Sequence, residues 1–456
     1  MDRDFDIIIV GGGITGASIL FTLSRFSKTK RILLIEKYNS YAQINSNSRN
    51  NAQTLHFGDI ETNYTIEKAR KVKHSAEVLL KYINSLPRKR KDDIMRICQK
   101  MVLAVGEEEI GSLEKTFSKE MHALFPSLKM LTRKEIAMVE PAVVKGRKEE
   151  EKIASLYSRT GYMVDFGKLT KSFASDADSV RRANKPKAIF GTKVTNVQSR
   201  GDSYVLHTNK GEFSARFVIF AAGSYSLYFA KSMGYDKNLS ILSVGGNFYY
   251  SRNVLRGKVY RVQIGGVPFA AVHADPDITN PNVTRFGPTV TVPPELERYH
   301  FDTFRDYFRT FDIDLPTIIS LKNIFLSGDT RDIILRNATY DIPLIGKYAF
   351  LKKEVQKIVP LLGYSDIRMA GKIGGIRPQL IDKEKRELLL GESKIRGDNI
   401  IFNVTPSPGV PEGSITIISY RTGNEAKVIG DTEVMTYGST HLSTDEVKNV
   451  ETLLRN

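Results

Sequence analysis

The chain has little cysteine and no long apolar run, and each of these absences excludes a class of protein. Among its 456 residues the single cysteine, Cys98, rules out an internal disulfide, which suits a reducing compartment. No run approaches the ~18 apolar residues of a membrane-spanning helix. The N-terminus lacks a basic segment followed by an apolar one, so we expect no signal peptide. We also find no internal repeat, no metal-ligand spacing and no RNA-binding motif.

Charge is the most unusual feature of the composition, which is otherwise ordinary for a globular protein of two or three domains. The net charge is +16, with basic residues densest at Lys68–Lys73, Arg88–Lys91 and Lys347–Lys357. Nucleic acid, an anionic membrane surface or anionic small substrates could each explain this excess. A solvated basic face is the simplest interpretation of each cluster, and contact with a membrane surface is the next.

The glycine motif near the N-terminus organises the chain. An apolar run, Phe5–Val10, predicts a buried parallel strand that leads into glycines and a helix. Gly11 permits a tight turn, Gly13 lets the backbone approach a pyrophosphate, and Gly16 allows close helix packing. A second strand ends about 20 residues later in Glu36, placed to accept hydrogen bonds from ribose hydroxyls. The motif predicts a dinucleotide site, and the acid favours NAD or FAD over a cofactor with a 2′-phosphate.

The rest of the chain alternates helical and strand patterns. A long polar loop follows Glu36, and loops of this length tend to be functional. The segments "SRGDS" and "NKGE" predict hairpin turns between residues 188 and 222. We expect helices at Glu61–Ser85, Glu107–Phe125, Asp165–Asp178, Tyr299–Phe311 and Ile318–Ile334, strands at Phe217–Ala222 and Ile400–Val404, and a helix from about Pro411.

The order of these patterns predicts an α/β chain of two domains. Nucleotide-fold patterns occur at the start, middle and end, whereas a simple NAD dehydrogenase usually builds this fold from one contiguous segment. This arrangement favours FAD. We expect a Rossmann-like FAD-binding domain at 1–90, 161–238 and 370–430, an inserted substrate domain with an antiparallel sheet at 91–160 and 239–369, and a C-terminal extension at 431–456.

Several segments, in this order, resemble the malate:quinone oxidoreductases. They are "DFDIIIVGGGITGAS", "AQINSNSRNNAQTLHFGDIETNYT", "LRGKVYRVQIGGVPFAAVHADPD", "TRFGPT", "GGIRPQLID" and "TPSPG", and "QTLHFGDIETNYT" is the most specific. The likeness covers residues 5 to about 410 and is greatest for the short bacterial form. It implies an FAD protein of the glycine/D-amino-acid oxidase superfamily that oxidises (S)-malate to oxaloacetate and reduces a membrane quinone. The implied location is the cytoplasmic face of the cell membrane, bound peripherally.

Oxidation of a 2-hydroxy acid needs a base for the hydroxyl proton and cations for the carboxylates. Histidine is the natural base near neutral pH, and His56 and His273 lie in the quoted segments, the latter close to Asp275. The sequence does not separate base from positioning residue. Arg285 and Arg377 are the expected carboxylate ligands, because guanidinium is a planar, permanently charged fork.

Further residues complete the expected site. Gln379 is a secondary substrate ligand, and Gln53, Gly223 and Gly409 are expected cofactor contacts. The chain departs from the family at Val410–Gly413, where Glu412 adds a negative charge near the expected flavin pyrimidine. Three alternatives stay open: an oxidase of another 2-hydroxy acid such as L-2-hydroxyglutarate, a nucleic-acid-binding flavoprotein suggested only by charge, and a degenerate flavoprotein. Nucleic acid is not the expected partner.

Overall fold

The structure is a computed structural model that describes most of the chain. It describes residues 4–26, 29–62, 64–180, 185–263, 271–326, 328–340, 342, 345–389, 393–404, 417–421, 425–430 and 433–436. Gly409, the departure at Val410–Gly413 and most of the predicted C-terminal extension therefore lie outside the described residues.

The strands, numbered in chain order, are β1 Asp4–Val10, β2 Ile32–Ile35, β3 Thr54–Leu55, β4 Met95–Val105, β5 Lys129–Thr132, β6 Ile153–Val164, β7 Lys187–Ile189, β8 Val194–Arg200, β9 Ser203–Thr208, β10 Gly211–Phe220, β11 Leu239–Gly245, β12 Tyr249–Arg252, β13 Lys258–Arg261, β14 His273–Pro276, β15 Val283–Gly287, β16 Arg368–Met369, β17 Ile376–Asp382, β18 Glu387–Leu389, β19 Lys394–Gly397, β20 Ile400–Asn403, β21 Ile417–Arg421, β22 Glu425–Gly430 and β23 Glu433–Thr436. The helices are α1 Ile14–Phe26, α2 Ile66–Ser85, α3 Arg88–Ile94, α4 Glu107–Thr116, α5 Lys119–Leu124, α6 Arg133–Val139, α7 Pro141–Val144, α8 Phe166–Asp178, α9 Tyr225–Ser232, α10 Phe304–Phe311, α11 Leu315–Leu326, α12 Gly328–Tyr340, α13 Ile345–Phe350 and α14 Gln356–Ile358.

One sheet collects strands from the start, middle and end of the chain. Its order is β19-β20-β10-β1-β2-β7, and the hairpin of β8 and β9 extends it beside β10. The pairs β20–β10, β10–β1, β1–β2 and β2–β7 are parallel. Ile7–Val10, β2 and Phe217–Phe220 are continuous apolar runs, as expected where both faces of a parallel sheet are covered. We refer to it as the nucleotide sheet.

A second sheet of nine strands forms the other half of the fold. Its order is β16-β12-β15-β14-β13-β4-β6-β3, with β5 paired to β6. The prediction of an antiparallel sheet is correct except for one pair, since β4 and β13 run parallel. The mixed α/β fold class is confirmed, and the domain boundaries stay a prediction.

The two faces of this nine-stranded sheet differ in chemistry. Tyr249, Phe286, Ala274, Val259 and Met101 share one hydrophobic core cluster. Because side chains alternate along each strand, their neighbours in sequence point to the other face. On that face a row of polar side chains crosses the sheet, with Tyr250 opposite Arg285, Arg285 opposite Asp275, and Lys258 opposite Lys100.

A third sheet, β11-β17-β18, carries the segment with Arg377. Outside these sheets, β21, β22 and β23 form an antiparallel sheet of their own. The helix predicted from Pro411 begins outside the described residues, and the described chain from Ile417 forms strands instead. Its β-branched residues Ile417 and Ile418 favour that conformation.

The predicted helices are confirmed in part. The first one begins at Ile66 rather than Glu61 because Thr65 caps it, accepting from the Lys68 N–H at 3.2 Å. A single helix over 107–125 is wrong, since Ser118 caps a separate α5. The predicted 318–334 helix consists of α11 and α12, and the 299–311 helix starts with a 3₁₀ turn at Phe301–Thr303. The helix at 165–178 and both hairpins are confirmed.

Within the described residues, no helix has the length and apolar character to cross a bilayer.

Candidate functional site

A groove opens at the carboxyl ends of the strands in the nucleotide sheet. It holds about 1270 Å³ of empty space, a volume that includes open solvent at its mouth. Parallel sheets bind ligands at this edge. The lining comes from the glycine motif, the polar loop after β2 and the ends of β10 and α9, and it includes Gly11, Gly13, Glu36, Asn45, Asn51, Thr192, Gly223, Tyr225 and Glu297.

The glycines of the motif have the geometry that the sequence predicts. Gly11 has a φ of +114°, and a Cβ there would lie 2.3 Å from the carbonyl oxygen of Ala221. A Cβ on Gly16 would lie 1.9 Å from the Gly11 oxygen, so any side chain would push α1 off the turn. Gly13 lines the groove directly before α1, whose N-terminus offers a positive dipole to phosphate. The fold of this turn therefore requires glycine at two of the three positions.

Glu36 lies at the end of β2 and is almost fully buried. Its two carboxylate oxygens accept the N–H groups of Gly12 at 2.6 Å and Tyr38 at 2.8 Å. Burial raises the pKa of Glu36, although these two hydrogen bonds oppose the rise. A carboxylate can accept about four hydrogen bonds, so capacity remains for two ribose hydroxyls. The groove thus fits the adenosine half of a dinucleotide at this end.

The polar loop after β2 links the groove to the two other sheets. Asn45 lines the groove, and its side-chain amide donates to the main-chain carbonyl of Ile376 and accepts from the Ile376 N–H. Ile376 is the residue before Arg377. Asn51 also lines the groove, and its carbonyl oxygen accepts from Arg285 Nη2 at 2.9 Å. Arg285 and the Arg377 segment are therefore each attached to the groove wall through one residue of this loop.

Four ionisable side chains, Lys258, His273, Asp275 and Arg285, form a buried cluster on the polar face of the nine-stranded sheet. Lys258 Nζ lies 3.3 Å from one oxygen of Asp275, and Arg285 Nε lies 3.7 Å from the same oxygen. His273 Nε2 lies 3.4 Å from the other oxygen. Each side chain is 3% exposed or less, which is rare for charged groups unless they are paired or bind a ligand. We call these four residues the cationic cluster.

The cationic cluster carries an excess of positive charge. Although burial favours the neutral acid, the charges of Lys258 and Arg285 lower the pKa of Asp275, so it is ionised. Burial, assisted by the same two cations, lowers the pKa of His273 to about 4. At neutral pH the cluster therefore holds two cations, one anion and a neutral imidazole. Arg285 Nε and Nη1 and His273 Nε2 are buried without a hydrogen-bond partner within the described structure. The two guanidinium nitrogens are orphaned donors that need an explanation, and an anionic ligand would satisfy them, whereas His273 Nε2 is an acceptor because Nδ1 donates to the Ala271 carbonyl.

His56 forms a separate pair on the same side. Its Nδ1 contacts Glu61 Oε1 within hydrogen-bonding distance. Burial opposes ionisation of Glu61, but the charge and hydrogen bond of His56, with the charge of Lys100, lower the pKa of Glu61 to about 2. A carboxylate on Nδ1 fixes the tautomer and leaves Nε2 as the basic nitrogen. The arrangement is that of an oriented base.

Residues that the sequence analysis missed connect these groups. The ring of Tyr260 lies between the two histidines, with centroid distances of 6.4 Å to His56 and 5.0 Å to His273. Lys100, buried beside them, donates to Asp59 Oδ1 at 2.5 Å. The signal for Lys258 and Tyr260 was present in "LRGKVYRVQ", because a strand with a lysine on its buried face needs a partner for the charge.

The other predicted residues have different surroundings. Arg377 is half-buried on β17, a strand of the third sheet rather than of the nine-stranded one. Gln379 donates its amide to the main chain of Leu389 on β18, so its contact is with the sheet. Gln53, with a φ of +51°, is fully buried and bonds Ser48, Asp277 and Ile278, which holds the polar loop rather than lining the groove. These assignments stay predictions.

Metal and thiol chemistry find little support. Among the residues that the structure describes, no group of three His, Cys, Asp or Glu side chains is placed to hold a metal ion. Burial raises the pKa of the Cys98 thiol, which disfavours the reactive thiolate.

The fold is shared with solved oxidoreductases at low sequence identity. The L-α-glycerophosphate oxidase of Mycoplasma pneumoniae, solved with FAD bound, is 19% identical with a TM-score of 0.62, covering 90% of this chain and 92% of its own. The glycine oxidase of Geobacillus kaustophilus is 18% identical with a TM-score of 0.59, covering 91% of each chain. These likenesses show the fold alone.

Sequence comparison gives the family. The model of the malate:quinone oxidoreductase family matches residues 3–313. A probable malate:quinone oxidoreductase of Campylobacter jejuni is 40% identical over 419 residues, which cover 89% of this chain and 92% of the relative. The malate:quinone oxidoreductase of Helicobacter pylori is 37% identical over 422 residues, covering 90% and 91%. The chain therefore belongs to the malate:quinone oxidoreductase family and is an oxidoreductase.

Proposed function

We propose that the protein oxidises (S)-malate to oxaloacetate with FAD and passes the electrons to a membrane quinone. The observation that carries this proposal is the cationic cluster, in which two nitrogens of buried Arg285, Nε and Nη1, have no hydrogen-bond partner and the third, Nη2, donates to the wall of the groove. A carboxylate would satisfy those donors and balance the excess charge.

The groove supports FAD as the cofactor. The Gly11–Gly16 turn admits a pyrophosphate, and Glu36 retains acceptor capacity for a ribose. The wall beyond the glycines includes Asn45 and Asn51, whose loop leads to Arg285 and toward Arg377. FAD, when bound, supplies the two-electron acceptor for the hydrogen at C2 of the substrate.

The substrate carboxylates would be held by cations from two sheets. Arg285 and Lys258 would bind the carboxylate next to the reacting carbon, with Lys258 partly neutralised by Asp275. Arg377, one residue from the Asn45 tether, would bind the second carboxylate and so select a dicarboxylate. Binding two carboxylates at fixed sites also orients C2, which converts binding energy into positioning.

His56 is the proposed base. Its Nδ1 is held by ionised Glu61, so Nε2 is free to accept the hydroxyl proton, and the carboxylate stabilises the imidazolium that forms. His273 would stay neutral among the cations and position the substrate, since the pKa near 4 makes it a weak base. Tyr260, whose pKa is raised well above its ordinary value by burial, stays protonated between the two rings.

One experiment tests the reaction and the cofactor together. The purified protein should be yellow, release FAD on denaturation, and bleach when (S)-malate is added without oxygen. Water-soluble quinone should restore the colour faster than oxygen does. Faster bleaching by L-2-hydroxyglutarate than by malate would reassign the substrate, and a protein that binds no flavin after refolding with FAD would contradict the proposal.

The net charge has a separate test. If the protein were an RNA-binding flavoprotein, it would give a salt-dependent gel shift with RNA. We expect no shift at physiological salt. We propose instead that the protein is bound peripherally at the cytoplasmic face of the cell membrane, because quinone is dissolved in the bilayer.

A further inference from the structure

Exposed apolar side chains are concentrated in one helical part of the chain. Among the described residues, fifteen large hydrophobic side chains are exposed, and thirteen of these lie between Phe301 and Met369. Singly exposed apolar residues are normal on a protein surface, but concentration in one segment marks an interaction site. The segment contains α10 to α14.

α11 shows the pattern most clearly. It buries Thr317, Ser320 and Ile324, and Ser320 donates back to the Pro316 carbonyl at 2.8 Å. Its exposed residues include Leu315, Ile318 and Leu326, which are 68%, 51% and 63% exposed. A helix on the surface of a globular protein normally turns its large apolar side chains to the core, as Ile324 and Leu321 do here. The core of this chain does not account for the three exposed apolar residues of α11.

α13 and the turn after α14 add a second apolar area with lysines beside it. Ile345, Tyr348, Leu361 and Tyr364 are all exposed. Lys347 Nζ lies 3.9 Å from the centroid of the Tyr364 ring, and Lys352 Nζ lies 5.8 Å from that of Tyr348. Tyrosines beside lysines are typical of the bilayer interface, because each has an apolar body and a polar tip.

The charge of this area is one-sided. Between Ile342 and Tyr364 the sequence has four lysines, at 347, 352, 353 and 357, and one acid, Glu354. Glu354 is buried and accepts from Arg261 at 2.6 Å, so its charge is not on the solvent-exposed surface that carries the lysines. Asp366, just outside, caps the N–H of Gly363 at 2.7 Å. The four lysines outnumber exposed Asp366, so the exposed charge of the area is positive on balance.

We propose that α11, α13 and Leu361–Tyr364 form a docking surface for an anionic lipid bilayer. The apolar side chains enter the boundary between headgroups and acyl chains, and the lysines contact the anionic headgroups. This inference rests on the proposed function, in which the electron acceptor is dissolved in the bilayer. It adds the place of contact and the part played by apolar insertion.

Vesicle flotation with matched variants tests the docking surface. The protein is mixed with vesicles of phosphatidylcholine alone or with phosphatidylglycerol, at low and high salt. Ile345→Glu with Tyr348→Glu should lower the partition coefficient by at least about tenfold, since each removes an apolar side chain from the interface. Leu315→Glu with Ile318→Glu should act similarly. Met138→Glu is the control, because Met138 is 69% exposed but lies on α6.

A kinetic readout separates the surface from the reaction. Each variant should keep wild-type activity with malate and a water-soluble quinone, while activity with a long-chain quinone held in vesicles falls together with binding. If the wild type oxidises malate with neither quinone, the proposed function is wrong. Flotation that depends on the surface residues would still support the docking surface in that case.

Three outcomes would overturn the docking surface. In the first, both paired variants float as the wild type does. In the second, wild-type protein binds neutral and anionic vesicles equally at all salt concentrations. In the third, the variants convert a dimer into a monomer in sedimentation analysis without changing vesicle binding, which would make the surface a contact between two copies of the chain.

Discussion

Substitution of Glu61 by Gln tests the assignment of His56 as the base. The change keeps the shape of the side chain and removes the charge that contacts Nδ1. A hydrogen bond to a charged group contributes about 1.5–3 kcal/mol, and both side chains are less than one-fifth exposed, so screening is limited. The imidazolium that forms when His56 accepts a proton should lose a similar amount of stabilisation in Glu61→Gln.

The sign of the effect on the rate follows from the role of the base. Activity requires neutral His56, so kcat/KM has an acid limb where the base becomes protonated. Because a neutral amide no longer stabilises the imidazolium, that acid limb moves to lower pH in Glu61→Gln. The plateau of kcat/KM also falls, by at least about tenfold. A general base contributes a rate factor of about 10²–10⁴, and a weaker, less firmly oriented base loses part of it.

The assay is the pH profile of kcat/KM for malate with a water-soluble quinone. His56→Asn and the double variant complete a thermodynamic cycle. The limb should vanish in His56→Asn, and adding Glu61→Gln to it should cost little more. Flavin content and thermal stability, measured in parallel, separate catalysis from unfolding. An unmoved limb in Glu61→Gln, at wild-type kcat, would refute the reasoning and leave His273 as the remaining candidate.

Other substitutions test the groove and the cations. Gly16→Ala should abolish flavin retention because its Cβ would lie 1.9 Å from the Gly11 oxygen, and a yellow variant would contradict this geometry. Gly13→Val should also lose FAD, read from the visible spectrum, because its side chain would occupy the approach to the pyrophosphate. Arg285→Met should lower kcat/KM by about 30- to several-thousand-fold, the equivalent of about 2–5 kcal/mol for a lost buried charge pair, and saturation at ordinary malate concentrations would argue against a carboxylate there. Arg377→Ala should raise KM for malate with FAD content unchanged, and Arg377→Lys should recover only part of the loss. Arg377→Ala should also lose the preference of the wild type for malate over monocarboxylic 2-hydroxy acids, and an unchanged preference would contradict the assignment.

The parts of the fold that depend on local pattern could be predicted from the sequence. The β1 run, the glycine turn and Glu36 lie within about 30 residues, and their geometry follows from backbone rules that act over that distance. Both hairpins follow from turn residues at their tips. The breaks within predicted helices were missed because a capping residue such as Ser118 was hidden inside an otherwise helical pattern.

The cationic cluster could be predicted only in part. His273 and Arg285 lay in recognisable segments, but their contact with Lys258 depends on the register of β13, β14 and β15. Registers between strands are set by the packing of whole sheets, which one sequence does not reveal. The pair of His56 and Glu61 is different, since they are only five positions apart in sequence. That spacing was readable, and it was missed because Glu61 was interpreted as the start of a helix.

The nucleotide sheet pairs strands that are distant in sequence, so it cannot be fully formed until nearly the whole chain has been synthesised. β10 pairs on one side with β1 and on the other with β20, so Val218, Ile219 and Phe220 gain their second neighbour only when residues 400–402 have been made. Until then a nascent chain of nearly 400 residues carries an open, apolar strand edge, which is a site for aggregation. Pairings this distant in sequence also slow folding. We therefore expect chains truncated before residue 400 to aggregate, and folding of the full chain to benefit from chaperones.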